Sequence, residues 1–349
     1  MTFDFSTLKP LGALYGALAR ARAAAYRKGW RRTYHVAAPV FSVGNLTTGG
    51  TGKTPLVAWV ARVLAAQGRR VCILTRGYGR ANPRERVLVS DGAQVYADAR
   101  TGGDEPLWLA ENLLGAAAVV ADRDRVAGAR WAMAHLQSDC FVLDDGFQHL
   151  RLARDCDLVT IDATNPWGGG YLLPHGHLRE PLTALQRATA CVITRADQAE
   201  NLAALTVQIS ELSGGRPVFQ ASTVVARVRP LSPVAPPLPV DATVYAFCAL
   251  GRPAAFFTQA ERAGYNLAGR HAFRDHHRYT AADLAQLAQA ARQAGAAALL
   301  TTGKDAVKLR GYDCALPVYV LDIALAFDRE NELRALLRNI LSKPIGERC

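Results

Sequence analysis

The apolar residues of this chain form short continuous runs, separated by longer segments with helical spacing. Five runs are too short for helices and show no polar alternation, which predicts strands buried on both faces of a parallel sheet. They are VCILT (71–75), AAVVA (117–121), CFVLD (140–144), DLVTID (157–162) and ACVIT (190–194). Strands that alternate with helices in this way predict a doubly wound, mostly parallel α/β fold.

A proline-rich stretch, ARVRPLSPVAPPLPVD, interrupts this pattern around residues 225–242. Prolines at this density predict an irregular segment and a domain boundary. Beyond it, further strands are predicted at TVYAFCAL, AAALLTT and PVYVLDI, and helices at about 253–264, 281–294 and 329–341. We therefore predict a larger domain at 1–225 and a smaller α/β domain at 226–349.

One glycine-rich turn lies between an apolar strand and an amphipathic helix, in FSVGNLTTGGTGKTPLVAWVARVLAAQG (41–68). The pattern G-x-x-x-x-G-K-[ST] is met except at its first position, where Thr47 replaces glycine. This context predicts a deviant P-loop, with backbone N–H groups around phosphate oxygens, Lys53 facing the β- and γ-phosphates and Thr54 on Mg²⁺. The predicted nucleotide-binding residues are Thr47, Thr48, Gly49, Gly50, Thr51, Gly52, Lys53 and Thr54. A P-loop NTPase-type sheet follows from it.

The strand CFVLD ends in two adjacent acids, Asp144 and Asp145. Ligand sites of open α/β sheets lie beyond the carboxyl ends of the strands, so a carboxylate here suits a Walker B role in holding Mg²⁺. We predict Asp144 as a metal ligand and Asp145 as a catalytic residue. Which of the two carboxylates binds the metal stays open from the sequence.

Composition adds limits to this picture. The chain has 349 residues, half of them hydrophobic, and contains no run of about 18 apolar residues, so a membrane-spanning helix is not expected. Seven scattered cysteines, mostly within apolar runs, predict buried thiols in a reducing compartment, with neither a disulfide framework nor a zinc site.

The net charge of +11 is unevenly distributed, because no acidic residue lies between Asp4 and Glu85. Such a basic surface attracts phosphates or anionic lipid. Leu11, Leu14 and Leu18 recur at helical spacing, with basic residues near the C-terminal end, which predicts an amphipathic helix at about 7–28 that lies on a membrane. An ordinary helix packed on the domain, or a transit peptide, would share this pattern.

Seven blocks, spread over nearly the whole chain, resemble the tetraacyldisaccharide 4'-kinase family of Gram-negative bacteria. They are GNLTTGGTGKTPLV, LTRGYGR, GDEP, DDGFQH, LLPHGHLREP, FRDHHRY and TTGKDAVKL. The resemblance implies ATP- and Mg²⁺-dependent transfer of the γ-phosphate to the 4'-hydroxyl of a tetraacylated glucosamine disaccharide 1-phosphate. It also implies a peripheral protein on the anionic, cytoplasmic face of the bacterial inner membrane. We further expect a monomer that binds no nucleic acid.

The resemblance implies two catalytic side chains besides Lys53 and Asp145. Asp104, in GDEP, matches the family's catalytic carboxylate, and His276, in FRDHHRY, matches the histidine that works with it. A carboxylate beside an imidazole is a sound general-base arrangement. In that case the smaller domain closes over the active site and brings His276 to Asp104. Alternatives remain: Asp104 could cap a helix, and His277 could replace His276.

Acceptor contacts are expected from residues in the same blocks. Arginines bind phosphate bidentately, so Arg76, Arg125 and Arg179 are candidates for the lipid phosphate. His149 is a candidate for the sugar or a phosphate, and Gln148 for the metal shell. Compared with the family pattern, Gly303 replaces a common glutamate, and histidines stand at positions 175 and 177.

Two other function classes compete with this assignment. One is another deviant P-loop kinase or ligase for small molecules, which GDEP and FRDHHRY disfavour. The other is a membrane-associated ATP switch, a class that usually carries a second lysine early in the loop, where this chain has Thr48.

Overall fold

A computed structural model describes residues 9–343 of the chain. Its strands are β1 (Val40–Asn45), β2 (Val71–Thr75), β3 (Val87–Ser90), β4 (Ala117–Ala121), β5 (Cys140–Asp144), β6 (Cys156–Asp162), β7 (Ala190–Thr194), β8 (Val218–Pro230), β9 (Thr243–Cys248), β10 (Asn266–Ala272), β11 (Ala298–Thr302) and β12 (Val318–Phe327). Its α-helices are α1 (Lys9–Arg27), α2 (Lys53–Ala65), α3 (Asp104–Asn112), α4 (Arg125–Leu136), α5 (Leu202–Ser213), α6 (Pro253–Arg262), α7 (Ala281–Gln293), α8 (Gly303–Ala306) and α9 (Glu330–Leu341). The predicted α/β class is confirmed.

The described strands form one continuous sheet in the order β10-β9-β11-β12-β8-β7-β6-β1-β5-β2-β4-β3. Most neighbours are parallel, while β3 pairs antiparallel with β4 and β8 with β12. In the centre, β1 lies between β5 and β6, and its register places Val43 opposite Asp144. The loop after β1 therefore meets the acidic end of β5 at one edge of the sheet.

The proline-rich region holds more structure than its composition predicts. The expectation of an irregular segment from residue 225 onward is wrong for its first part, because β8 continues to Pro230. The partner strand explains this: Val228 lies opposite Leu321, and Pro230 opposite Tyr319, in the long antiparallel pair with β12. Pairing between residues far apart in the chain thus overrides local composition.

The hydrophobic core lies on both faces of the sheet. Helix α2 buries Leu56, Val60 and Leu64 against the central strands. The last helix, α9, packs Leu333 and Leu337 into that same cluster, although the predicted boundary assigns it to the second domain. Separate clusters, around Phe247 and Phe256 among others, pack around strands β9, β11 and β12. Residues 243–327, which include these strands, are called the second unit below. The division at 225/226 stays a prediction.

Helix α1 docks through its glycines, and its leucines face outward. Gly12 and Gly16 are buried, and a Cβ atom at Gly16 would lie 2.5 Å from Leu172 Cδ1. Leu11, Leu14 and Leu18 are 51%, 58% and 62% exposed. The two glycines thus permit a close approach to the loop that contains Leu172. The alternative of an ordinary helix packed on the domain is therefore borne out only in part, because α1 does pack on the domain but leaves its leucine stripe exposed.

Gly44, in β1, tests how tightly the centre of the sheet is packed. A Cβ atom there would lie 2.6 Å from Phe147 Cβ and 2.7 Å from the Phe147 backbone nitrogen. We expect Gly44→Ala to lower the free energy of unfolding by about 1–3 kcal/mol through overpacking. Thermal denaturation followed by circular dichroism measures it. Gly50→Ala is the control, because its Cβ would meet nothing within 4 Å; equal midpoints for the two variants would contradict this packing.

Candidate active site

A cavity of about 1380 Å³ opens at the carboxyl ends of the central strands, and every site residue predicted from the sequence lines it. The lining includes the whole loop from Thr47 to Thr54, with Arg76, Asp104, Arg125, Asp144, Asp145, Gln148, His149, Arg179 and His276. Tyr15, Leu18 and Arg22 of α1 also contribute. Residues from both predicted domains and from α1 therefore meet in one cavity.

The glycine-rich loop has the backbone conformation that its glycines predict. Gly49 and Gly52 have φ values of 104° and 75°, in the left-handed region that favours glycine. The loop is anchored to its surroundings: the Thr194 hydroxyl donates to the Thr51 carbonyl at 3.0 Å, and Thr51 Oγ1 lies 2.9 Å from Thr160 Oγ1. This anchoring keeps the cradle formed.

Lys53, the first residue of α2, reaches across the loop. Its Nζ donates to Asn45 Oδ1 at 3.0 Å and lies 3.6 Å from Asp145 Oδ1. Asn45 thus holds the lysine at the base of the cradle through a side-chain contact that the sequence analysis did not include. The only signal for it was its place at the end of β1.

A histidine that the sequence analysis left without a role is tied to the loop. His177 Nδ1 lies 3.1 Å from Thr48 Oγ1, and the Thr48 N–H donates to the His177 carbonyl at 2.7 Å. The neighbouring Arg179 donates from Nη1 to Asp145 Oδ2 at 2.7 Å. The LLPHGHLREP block therefore braces both the glycine-rich loop and the acidic end of β5.

The two adjacent acids at the end of β5 have different surroundings. Asp144 is buried and accepts a hydrogen bond from the Thr75 hydroxyl at 2.9 Å. Burial, and then the negative charges of Glu105 and Asp145, raise the pKa of Asp144 to about 6. At Asp145, burial is outweighed by the charges of Lys53 and Arg179, which hold its pKa below the ordinary value. Asp145 is thus paired with cations, whereas Asp144 has a neutral hydroxyl as its hydrogen-bond partner.

Asp104 lies beside His276, as the resemblance implied. His276 Nδ1 is 3.3 Å from Asp104 Oδ2, a contact between residues 172 positions apart in the chain. His277 instead contacts Asp283 Oδ2 at 3.1 Å through Nε2 and stacks on Phe273. Gly103 is the N-cap of α3, and the Asp104 side chain makes no capping bond. The structure therefore does not bear out the two alternatives, that Asp104 caps the helix or that His277 takes the place of His276 beside Asp104.

Three acids of α3 face three cations from the segment after β11. Glu105 pairs with Lys304, Asp104 Oδ2 lies 3.9 Å from Lys308 Nζ, and Glu111 Oε1 lies 2.8 Å from Arg310 Nη2. At position 303, where the family pattern commonly has glutamate, this chain has glycine. A Cβ atom at Gly303 would lie 2.5 Å from Trp108 Nε1, so a side chain does not fit there in this structure. Lys304 and Lys308 line the cavity, whereas Arg310 and Glu111 do not, and no part in the site was predicted for these two lysines.

Comparison with known proteins decides the family. The model of the tetraacyldisaccharide-1-P 4'-kinase family, LpxK, matches residues 5–342. A tetraacyldisaccharide 4'-kinase from Geobacter metallireducens is 44% identical over 306 residues, covering 86% of this chain and 88% of the relative. One from Desulfotalea psychrophila is 37% identical, covering 90% and 91%. The crystal structure of LpxK from Aquifex aeolicus in complex with ATP superposes with a TM-score of 0.78 at 32% identity, covering 97% and 99%.

The chain belongs to the LpxK family. It is therefore a kinase of lipid A biosynthesis, and the predicted P-loop NTPase-type fold and function are confirmed. The two competing classes, a different small-molecule kinase and an ATP switch, lose their support. The LpxK family match does not test the roles of individual residues.

The candidate acceptor residues of this LpxK family member lie in different environments. Arg76 is exposed at the cavity, whereas Arg125 is buried and donates to the Asp122 carbonyl at 2.7 Å. Burial lowers the pKa of Arg125 to about 10. Burial, with the nearby charges of Arg125 and Arg154, lowers the pKa of His149 to about 4, so its imidazole is neutral at pH 7. Gln148 donates from Nε2 to the Asn45 carbonyl at 2.9 Å.

The contact with Asp104 makes His276 sensitive to that carboxylate. The hydrogen bond to Asp104 raises the pKa of His276 above its ordinary value, against the effect of partial burial. The pair therefore stabilises the folded state at pH values below the ordinary histidine pKa, and this contribution is lost as pH rises through the raised value.

We expect Asp104→Asn to lower the pKa of His276, because the hydrogen bond to the carboxylate is lost. NMR titration of the His276 ring protons measures it.

Glu111→Gln is the matched control for that titration, because Glu111 lies on the same helix and pairs with Arg310. It should leave the pKa of His276 where it is in the unaltered protein. An unchanged His276 titration in Asp104→Asn would show that the contact does not form in solution.

Proposed function

We propose that the chain transfers the γ-phosphate of ATP to the 4'-hydroxyl of a tetraacylated glucosamine disaccharide 1-phosphate, with Asp104 as the proton acceptor and His276 as its partner. The observation that carries the proposal is the contact between these two side chains, in the cavity that the glycine-rich loop also lines. Membership of the family supports this reaction, and the contact between Asp104 and His276 in the cavity supports the proposed roles of the two side chains.

The donor side rests on the loop from Thr47 to Thr54. Its backbone conformation suits phosphate oxygens, since consecutive N–H groups in such a turn form an anion-binding concavity. Lys53 is held at its base by Asn45 and Asp145, so its ammonium is placed before the nucleotide binds. In this proposal Lys53 neutralises charge on the transferring phosphate, and Asp145 orients the lysine.

The oxygen donors of the cavity fit Mg²⁺. Asp144 is a buried carboxylate with a raised pKa and a neutral hydrogen-bond partner, an environment that a divalent cation would relieve. Asp144 and the Thr54 hydroxyl would hold the ion, which would neutralise charge on the phosphates, and Gln148 lies nearby in the lining. Mg²⁺ in kinase sites uses one or two carboxylates with nucleotide phosphates, and no cluster of three His, Cys, Asp or Glu ligands occurs within residues 9–343.

The acceptor side rests on Asp104 and His276. Phosphoryl transfer needs a group that orients the attacking hydroxyl and accepts its proton, together with in-line positioning. The Asp104 carboxylate is partly exposed to the cavity, so a sugar hydroxyl can reach it. His276 donates a hydrogen bond to one oxygen of that carboxylate. Proton transfer to the pair then accompanies attack on the γ-phosphate.

Arg76 is the side chain we propose for the phosphate of the lipid acceptor, because it is exposed at the cavity. Arg179 already pairs with Asp145, and Arg125 is buried against backbone carbonyls. In this proposal those two arginines add positive potential beneath the site, and the neutral His149 is available to a sugar hydroxyl.

Helix α1 is the proposed membrane contact. Its three exposed leucines share one face, and Tyr15, Leu18 and Arg22 continue into the cavity lining. Among residues 9–343, none of the helices has the length and apolar character needed to cross a bilayer. We therefore propose peripheral binding at the cytoplasmic face of the inner membrane, with α1 giving the acyl chains a path to the cavity.

An assay with purified protein, detergent, Mg-ATP and the disaccharide 1-phosphate tests the function. Mass spectrometry should show a product heavier by one phosphate. Lys53→Ala and Asp104→Asn should each lower kcat by at least about 100-fold, the scale of a lost charge contact or general base. Glu111→Gln should retain activity. A folded protein that forms no product, or that phosphorylates soluble sugars equally well, would contradict the assignment.

Vesicle flotation tests the membrane contact separately. We expect replacement of Leu11, Leu14 and Leu18 by serine to weaken binding to phosphatidylglycerol-containing vesicles by at least about tenfold. A leucine side chain that is fully buried in the bilayer contributes about 1.5–3 kcal/mol, and about 1.4 kcal/mol corresponds to a tenfold change in affinity. Leu114→Ser is the matched control, since Leu114 is 47% exposed and lies outside α1. Equal binding of the triple variant and the control would exclude α1 as the anchor.

A further inference from the structure

Two cationic side chains from the second unit approach the same oxygen of Asp104. His276 Nδ1 lies 3.3 Å from Oδ2, and Lys308 Nζ lies 3.9 Å from it. Their exposure differs, because the His276 side chain is 42% exposed and that of Lys308 is 5% exposed. The histidine is open to substrate and solvent, whereas the lysine approaches from within the protein.

Lys308 is held in place by groups of its own unit. Its Nζ lies 2.8 Å from Asp305 Oδ1 and 5.2 Å from the ring centre of Tyr279. Asp305 is fully buried and is itself fixed, since its Oδ2 accepts hydrogen bonds from the Ala249 N–H and the Thr302 hydroxyl. A charge this deeply buried keeps a defined position, because moving it away from its partners is costly.

The distance to Asp104 defines what Lys308 can do. At 3.9 Å it is beyond an ordinary hydrogen bond, so the interaction is electrostatic attraction between a fixed ammonium and a carboxylate that can still rotate. Both side chains are largely buried, so solvent screens this attraction less than it would in open water. The fixed cation therefore favours the rotamer of Asp104 in which Oδ2 faces the second unit.

The other two cations of this segment do not share that target. Lys304 pairs with Glu105, and Arg310 pairs with Glu111, the next acids along α3. Lys308 alone of the three approaches Asp104. The segment after β11 thus docks on α3 through three separate pairs, of which one includes the proposed base.

We propose that Lys308 is a positioning residue for phosphoryl transfer, which fixes the Asp104 carboxylate for the acceptor hydroxyl when the second unit lies against α3. The inference rests on the proposed role of Asp104. It goes beyond the pairing with His276, because it makes a buried cation from the closing unit a condition for an aligned base. Asp104 is then aligned only when the second unit is in place.

Lys308→Met is the direct test, since methionine keeps most of the side-chain volume without the charge. We expect kcat to fall by about 10- to 100-fold, with the KM for ATP changed less than twofold, because the loss concerns alignment of the base. Lys308→Arg should restore part of the rate. Arg310→Met is the matched control, because Arg310 lies on the same segment and pairs with Glu111, and it should stay within about threefold of the unaltered protein.

Lys308→Met also leaves Asp305 without its cation, so folding must be checked by circular dichroism. The double variant Asp305→Asn with Lys308→Met removes both charges and keeps the proposal testable if the single variant unfolds. It should show the same fall in kcat at an unchanged KM for ATP. A folded variant of either kind with full kcat would overturn the inference.

A double-mutant cycle with Asp104→Asn separates positioning from a merely structural role. If Lys308 acts through Asp104, Lys308→Met should cost little further activity in the Asp104→Asn background. The same fold-loss in both backgrounds would overturn the inference while leaving the proposed function intact. Full activity of Asp104→Asn itself would instead overturn the assigned base, and the inference with it.

Discussion

The contact between Asp104 and His276 is the interaction on which the rest of the site depends. It joins the start of α3 to a loop of the second unit, and Nδ1 lies 3.3 Å from Oδ2. Local sequence alone does not bring the two side chains together, because they lie 172 positions apart. Asp104 is the first residue of α3, directly after the N-cap Gly103, and His276 holds a left-handed backbone with φ of 59°. A non-glycine residue in that conformation is kept there by its surroundings.

Most of the acidic side chains around this contact are paired with cationic side chains. The acids of α3 meet cations of the segment after β11, and Asp145 meets Lys53 and Arg179. Asp144 is the contrasting case, since burial raises its pKa to about 6 and its hydrogen-bond partner is the neutral Thr75 hydroxyl. The cavity thus combines a cationic cradle for phosphates, one carboxylate suited to a divalent cation, and one carboxylate with a histidine.

Local sequence predicted best those elements that are marked by a continuous apolar run or by a glycine-rich motif. The strands ending at Thr75, Asp144 and Thr194 and the glycine-rich loop are confirmed, because each is specified by residues adjacent in the chain. Strands β3, β8 and β10 were missed, because β3 and β10 are partly exposed strands at the two edges of the sheet, and β8 is partly exposed beyond Ala221 and pairs with the distant β12. The same limit applies in the site: the contacts of Asn45 with Lys53 and of His177 with Thr48 join separate segments, which periodicity cannot detect.

The most direct test of the account is the coupling between Asp104 and His276 in the chemical step. Single-turnover phosphate transfer would be measured for Asp104→Asn, His276→Asn and the double variant, with saturating ATP and lipid. If the two side chains act as one unit assembled from both parts of the chain, the double variant should be about as slow as the slower single variant. Rate losses that multiply in the double variant would show that they act independently, and would contradict the account.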